Sequence, residues 1–325
     1  MLKRLKGVLL AAALVAMTGC AWAQQPATSP LTVRGVQQMD LTAKGSGRAY
    51  RVFVAVPDKP APEAGYPVLY VLDANNMFLT ALEAVRAFER RPDMPKDIAT
   101  VVVGIGYPEG TDIAVARTFD LTPAGGGNPR IKAPGGGADD FLRFIHRDLT
   151  PVVGSLAKID VQRQGIFGHS FGGLFVLHAL ANDPGRFRHY MAASPSVWYA
   201  DKVVIDSLTN MLCKRNDGSS PLGLLVTAAE YEQKLSPSAA ARPDAERVAS
   251  VLAERRQVDR AREVVALVAA GANTAARFDE IAGEDHGTVI PAAISRAVGF
   301  MLTPPPEAAA PPPVKGRDAH HGKRH

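Results

Sequence analysis

Two cysteines in 325 residues are too few to staple a fold. Cys20 falls in an N-terminal leader, so whether that leader is removed or its cysteine acylated, no intramolecular disulfide is possible even in an oxidising compartment. Cys213 is expected to be a buried or half-buried thiol rather than a catalytic one. Paired Cys/His spacing is missing as well, which argues against a metal site, and no cofactor is expected. A dominant charge is also lacking. The formal +5 comes from 37 Lys and Arg against 32 Asp and Glu. Lys3, Arg4 and Lys6 sit in the leader, and Lys315, Arg317, Lys323 and Arg324 outnumber Glu307 and Asp318 near the other end. The body between is near neutral, which excludes the clustered basic face of a nucleic-acid binder. The apolar run Val8 to Met17 is too short to span a bilayer comfortably, so no membrane span is expected.

What is present at the ends is targeting and low complexity. A basic n-region, that apolar run and Ala21-Trp22-Ala23 make residues 1–23 a secretory signal peptide, implying a periplasmic location. Met17-Thr-Gly-Cys20 is an imperfect lipobox that competes with it, so a lipid anchor at Cys20 is the alternative. Residues 303–325, with Pro304 to Pro306, Pro311 to Pro313 and three histidines, read as a disordered or polyproline tail.

Between the ends, strand-like and helical patterns alternate. Tyr50 to Val56 alternates apolar and polar residues and stops at Pro57. Tyr66 to Leu72 and Ala99 to Ile105 are continuous apolar runs, the mark of parallel strands covered on both faces. Helical patterns follow at Phe78 to Glu89, Asp139 to Arg147, Leu174 to Ala181, Glu246 to Ala270 and Ile290 to Leu302. Further strands are expected at Tyr190 to Ala193, Leu222 to Ala228 and Ala276 to Ile281. The pattern predicts one α/β domain over 31–302, a mostly parallel, doubly wound sheet with helices on both faces. Two glycine runs, Gly125 to Gly127 and Gly135 to Gly137, bracket an irregular stretch holding Arg130 and Lys132. It reads either as a mobile surface loop or as a binding loop beside a pocket.

Chemistry concentrates in Gly165-Ile-Phe-Gly-His-Ser-Phe-Gly-Gly173. Gly168-His-Ser-Phe-Gly172 fits G-x-S-x-G between a strand end and a helix start, where a tight turn needs small neighbours and lifts the serine into reach. Ser170 is therefore the expected nucleophile, and a serine hydroxyl needs a base. Position removes most histidines: His169 is adjacent, His178 lies inside the next helix, His146 and His189 come too early, and three are in the tail. His286, in Gly283-Glu-Asp-His-Gly287 after the last strand, remains. The acid that orients it should follow Leu222 to Ala228, where Glu232 is the first choice and Glu230 the second. In an extended chain those two share a side and cannot be told apart. Oxyanion donors are expected from the backbone N–H of Phe171 and from the turn after Leu72, at Ala74 or Asn75.

Five segments in order carry a more specific likeness: Tyr70-Val-Leu-Asp-Ala-Asn-Asn76, Arg117-Thr-Phe-Asp-Leu-Thr-Pro123, Gly135-Gly-Gly-Ala-Asp-Asp-Phe-Leu-Arg-Phe144, Ala193-Ser-Pro-Ser-Val-Trp198 and Gly283 to Gly287. From Leu31 to Leu302 the chain resembles the putative-esterase branch of the α/β-hydrolases. Within it the likeness is greatest to periplasmic esterases that open ferric catecholate siderophores of the enterobactin and salmochelin type, and to their bacillibactin-cleaving relatives. The resemblance implies Ser170 as nucleophile and His286 as base, sometimes without a third residue, and Arg117 facing the substrate. Ala74 departs from a common glycine, and Ala229 departs from the usual Gly-Glu-Tyr-Glu. A ferric tris-catecholate is strongly anionic, so a near-neutral body needs local cations: Arg117 first, with Arg130 and Lys132 behind it. The implied function is hydrolysis of a trilactone siderophore. The alternatives are an exported esterase for feruloyl or short acyl esters and a non-catalytic siderophore-binding protein.

Overall fold

A computed structural model describes residues 32–95, 98–128, 131–216 and 218–303. The leader, Arg130 and the tail beyond Thr303 lie outside the described residues. Met1–Arg34 and Gly35–His325 form separate units, and every element below belongs to the second.

Two antiparallel strands, β1 (Val36–Thr42) and β2 (Ala49–Ala55), lead into β3 (Tyr66–Leu72) and β4 (Val101–Gly106), both buried along their whole length. β7 (Ile159–His169), β8 (His189–Ala193), β9 (Leu222–Ala229) and β10 (Thr274–Ile281) continue the sheet. Its eight strands run β1-β2-β4-β3-β7-β8-β9-β10. Only the β1–β2 and β2–β4 pairs are antiparallel among these. The chain thus reaches the parallel, twice-covered sheet that its unbroken Val/Ile/Leu runs predict.

Alternate residues of each inner strand face opposite layers. Val68, Tyr70 and Leu72 join the core beneath α5 (Phe171–Asn182), α6 (Val203–Leu212) and α9 (Gln257–Ala269). On the other face α1 (Ala74–Glu89) packs on α10 (Ile290–Leu302) and on β3 and β4. Between β4 and β7 lie α2 (Ile113–Asp120), the short hairpin β5 (Gly127–Asn128) and β6 (Ala133–Pro134), α3 (Ala138–Phe144) and α4 (Thr150–Leu156). No helix of the described residues is long and apolar enough to cross a membrane.

Three local expectations need correction. The helix expected over Glu246 to Ala270 is two helices, because Arg256 is left-handed at φ 47 and separates α8 (Ala245–Arg255) from α9. α9 buries Val258, Ala261, Val264 and Val268, whereas α8 buries nothing, so an unbroken apolar periodicity hides a change of direction. The helix expected over Asp139 to Arg147 passes at Ile145–Leu149 into a π-helical turn. Cys213 is exposed, because it follows the last turn of α6 beyond the buried Met211.

Candidate active site

All the parallel strands end on one edge of the sheet, where ligands of open α/β folds bind. The register pairs His169 with Ala193 and Ile281 with Ala229, so the turns after β7, β8, β9 and β10 meet there.

Ser170 sits between β7 and α5 at φ 60 and ψ −115. A non-glycine residue held there stores about 1–3 kcal/mol, so its surroundings must enforce it. They do. Ser170 donates its N–H to the Ala193 carbonyl at 2.9 Å, while its own carbonyl accepts from Leu174 and Ser196. A Cβ on Gly168 would lie 2.4 Å from the Gly172 carbonyl carbon, which explains the glycine at 168, while a Cβ on Gly172 would press on Asp73 Oδ2 at 3.3 Å. Only such close passage lets the chain reverse from strand to helix and raise the hydroxyl above the sheet.

His286 lies in the turn between β10 and α10. Asp285 fixes that turn by accepting from the N–H groups of Gly287 and Thr288 at 2.9 and 3.0 Å. Those two donors hold the Asp285 carboxyl below the usual carboxylate range. His286 Nε2 stands 3.0 Å from Ser170 Oγ, and its Nδ1 is hydrogen-bonded to Glu232 Oε1. The Glu232 carboxylate is 2% exposed and its other oxygen accepts from Ala229 N at 2.8 Å. The two candidate acids are distinct after all. Glu230–Glu232 is a 3-10 turn rather than extended chain, so the carboxylates diverge. Glu230 instead accepts from Gly283 N at 2.7 Å and from Lys234, and Tyr231 N donates to the Glu284 carbonyl. The Glu230–Glu232 turn therefore holds both the imidazole and the loop that carries it.

Phe171 is the first residue of α5 and Ala74 the first of α1, where helix N–H groups lack intrahelical acceptors. The two helix starts are adjacent: a Cβ on Gly172 would meet Asp73 at 3.3 Å and Leu72 at 3.7 Å. Asn75 is held differently, since its side chain brackets Tyr107 by donating to its carbonyl and accepting from its N–H.

Arg117 borders the site but is engaged. Its Nε and Nη2 donate to the two Asp73 oxygens at 2.8 and 2.9 Å. Asp120, an alternative partner on the same helix, is taken by Arg48 and Tyr50. Lys132 is exposed in the β5–β6 hairpin at φ 53, and it is Gly127 and Asn128 of that hairpin that line the cavity over Ser170. The hairpin is anchored where Gly126 and Gly135 press on Tyr199.

Sequence reasoning passed over Asp73, Ser196 and Arg255. Ser196 Oγ is 3.4 Å from Ser170 Oγ. Arg255 lies 4.4 Å from the Trp198 ring centroid, and both line a cavity of about 300 Å³ beside the serine. Asp73 stands inside a quoted segment and could have been found as a buried acid next to a strand end. His169 also borders the site, its ring centroid 4.6 Å from that of His286. Burial above all, then the neighbouring His286 and Arg117, pushes the His169 pKa down to about 3, so it stays neutral there.

A mostly parallel eight-stranded sheet, a strained serine at a strand-to-helix turn and a histidine after the last strand define an α/β-hydrolase. The family model described as "Putative esterase" matches residues 43–286. The chain belongs to that family and is a carboxylic-ester hydrolase. It is 34% identical over 286 residues to a ferri-bacillibactin esterase of Bacillus subtilis, covering 85% of this chain and 93% of that one. It is 30% identical to a siderophore enterobactin esterase of Emericella nidulans, covering 86% and 97%. Among solved structures, the BES protein from Bacillus cereus superposes with a TM-score of 0.73 at 28% identity, over 86% of this chain and 99% of that one.

Proposed function

We propose that this protein is an exported serine esterase that hydrolyses the ester backbone of ferric catecholate trilactone siderophores, easing iron release. The observation that carries the reading is the hydrogen-bonded line from Ser170 through His286 to Glu232, in a chain whose relatives are named for bacillibactin and enterobactin. Ser170 Oγ attacks the ester carbonyl and passes its proton to His286 Nε2. The protonated imidazole, held by Glu232, gives that proton to the departing alkoxide. Water then enters, loses a proton to His286 and displaces the acyl group from Ser170, whose Oγ takes that proton back from the imidazolium. The N–H groups of Phe171 and Ala74 hold the oxyanion. Iron is cargo here, loosened because cutting the backbone undoes the preorganisation of the three catechols.

Export rests on the signal pattern of residues 1–23. The aromatic lining of the cavity, Phe171, Trp198 and Tyr231, equally suits an aryl ester such as a feruloyl group, which is the second reading. Hydrolysis rates on ferric enterobactin, methyl ferulate and p-nitrophenyl butyrate separate them. Turnover of the last two with none of the first would discard the siderophore substrate while keeping the esterase.

A further inference from the structure

Ser170 Oγ has a second polar neighbour besides His286. Ser196 Oγ stands 3.4 Å away, and among the described residues Ser170 is the partner of that hydroxyl. Counting protons fixes the direction of the contact. The Glu232 carboxylate can only accept, so Nδ1 of the neutral His286 ring carries the proton and Nε2 is left as an acceptor. Ser170 has one hydroxyl proton and directs it to Nε2 at 3.0 Å. Between the two serines, Ser196 is therefore the donor and Ser170 Oγ the acceptor.

The segment carrying Ser196 is tied down on both sides. Ser194, left-handed at φ 45, donates its N–H to the Thr227 carbonyl at 2.7 Å. The Pro195 carbonyl accepts from Gln257 Nε2 at 2.7 Å. Ser196 donates its own N–H to the Ser170 carbonyl at 3.2 Å, and its carbonyl accepts from Tyr199 N at 3.0 Å. The residue is 1% exposed, yet it borders the cavity over the nucleophile. A donor fixed beside a reacting atom and shielded from water needs no reorganisation when charge develops there.

We propose that Ser196 is a catalytic residue whose hydroxyl donates to Ser170 Oγ and stabilises the negative charge that builds there as the proton passes to His286. The inference rests on Ser170 as the nucleophile of a serine esterase and holds whichever ester is the substrate. In the attack, Oγ forms a bond to the carbonyl carbon, its proton moves to Nε2, and the carbonyl π pair moves onto the oxyanion. While the proton is in transit Oγ is partly anionic. The bond from Ser196 then becomes charge-assisted, roughly twice as strong as one between neutral hydroxyls. An interaction that strengthens on the way to the transition state speeds the chemical step. The 3.4 Å separation at rest leaves room to tighten, as catalytic hydrogen bonds commonly do once substrate is bound. When water later displaces the acyl group, the same donor faces the departing Oγ.

The test measures the second-order rate at which a fluorophosphonate labels Ser170, beside kcat and KM on p-nitrophenyl butyrate and ferric enterobactin. In labelling, Oγ bonds to phosphorus, its proton passes to His286 and fluoride departs, so this readout needs no particular ester. Ser196→Ala should slow labelling and lower kcat about ten-fold or more, with KM within about two-fold of wild type. Ser196→Cys fills the space with a weak donor and should be nearly as slow. Both variants should unfold in urea like wild type. An unchanged labelling rate in Ser196→Ala overturns the proposal. So does recovery in Ser196→Cys, which would make the loss one of packing, or a loss that tracks lowered stability. A wild type that is not labelled at Ser170 refutes the nucleophile itself. Slow labelling of Ser196→Ala in an enzyme that leaves ferric enterobactin intact refutes the siderophore reading and retains the role of Ser196.

Discussion

Replacing Glu232 by Gln tests whether the carboxylate beneath His286 contributes to catalysis. The substitution keeps size and shape in a site that is 2% exposed, and its carbonyl can still accept from Ala229 N. What is removed is the negative charge facing an imidazole that must become an imidazolium. A hydrogen bond to a charged group contributes about 1.5–3 kcal/mol. At 1.36 kcal/mol per decade of rate, that is roughly 10- to 150-fold. The amide can also present its N–H to Nδ1 and favour the unproductive tautomer. In the serine protease case where this happens the loss reaches about 10⁴. Here half of the His286 side chain is exposed, so water takes over part of the lost stabilisation. The expected fall in kcat on p-nitrophenyl butyrate is therefore about 10²- to 10³-fold. Glu230→Gln is the control, because its amide oxygen can still accept from Gly283 N, and it should lose only a few-fold. If Glu232→Gln also loses only a few-fold while both variants unfold like wild type, Ser170 and His286 act as a pair and the Glu232 contact is structural.

Ser170→Ala should remove activity by about 10⁴-fold or more with unfolding unchanged or improved, and an active variant would refute the nucleophile assignment. Arg117→Ala leaves the buried Asp73 carboxylate without its bidentate partner and should destabilise by about 3 kcal/mol in chemical denaturation, with neutral and anionic esters slowed together. Unchanged stability with loss confined to the anionic ester would instead make Arg117 a substrate ligand. His189, pushed down by burial to a pKa of about 4 from 6.5, makes the fold acid-sensitive. Between those values the unfolded chain gains a proton that the folded one refuses, so stability falls as pH falls. His189→Gln should remove roughly 2 kcal/mol of the stability change between about pH 6.5 and 5, and an identical pH slope in urea titrations would contradict this.

How far the sequence reveals this molecule depends on how local each cause is. The parallel strands show themselves as unbroken apolar runs, and the elbow shows itself because two glycines must nearly touch around one serine. His286 emerges by order along the chain. Glu232 and Glu230 cannot be separated by a two-residue alternation, because the chain leaves its extended state at Ala229 and the pair sits in a 3-10 turn. Arg117 reads as a cation facing the substrate, and its acid, Asp73, leaves no local sign because it is 44 residues away. The break at Arg256 is silent because apolar spacing continues across it, and with it goes any sign that Arg255 would meet Trp198. Each of these features is a local turn, a tertiary contact or a single left-handed residue, and none leaves a periodic trace.

That left-handed residue divides the labour of the chain. Downstream of Arg256, α9 is anchored by Val258, Ala261, Val264 and Val268 and by Gln257, which donates to the Pro195 carbonyl at 2.7 Å. Upstream, α8 buries none of its residues, although Leu252 and Arg255 line the cavity. The segment from Ser236 to Arg255 is thus an exchangeable cassette inserted between the acid-bearing turn and a fixed helix. Its composition can drift, lengthen or be replaced by design with little penalty to folding, while the proton-handling groups stay where β7, β9 and β10 hold them. Selection for a new ester would act first on this stretch, and a library confined to it offers the shortest route to retargeting the enzyme.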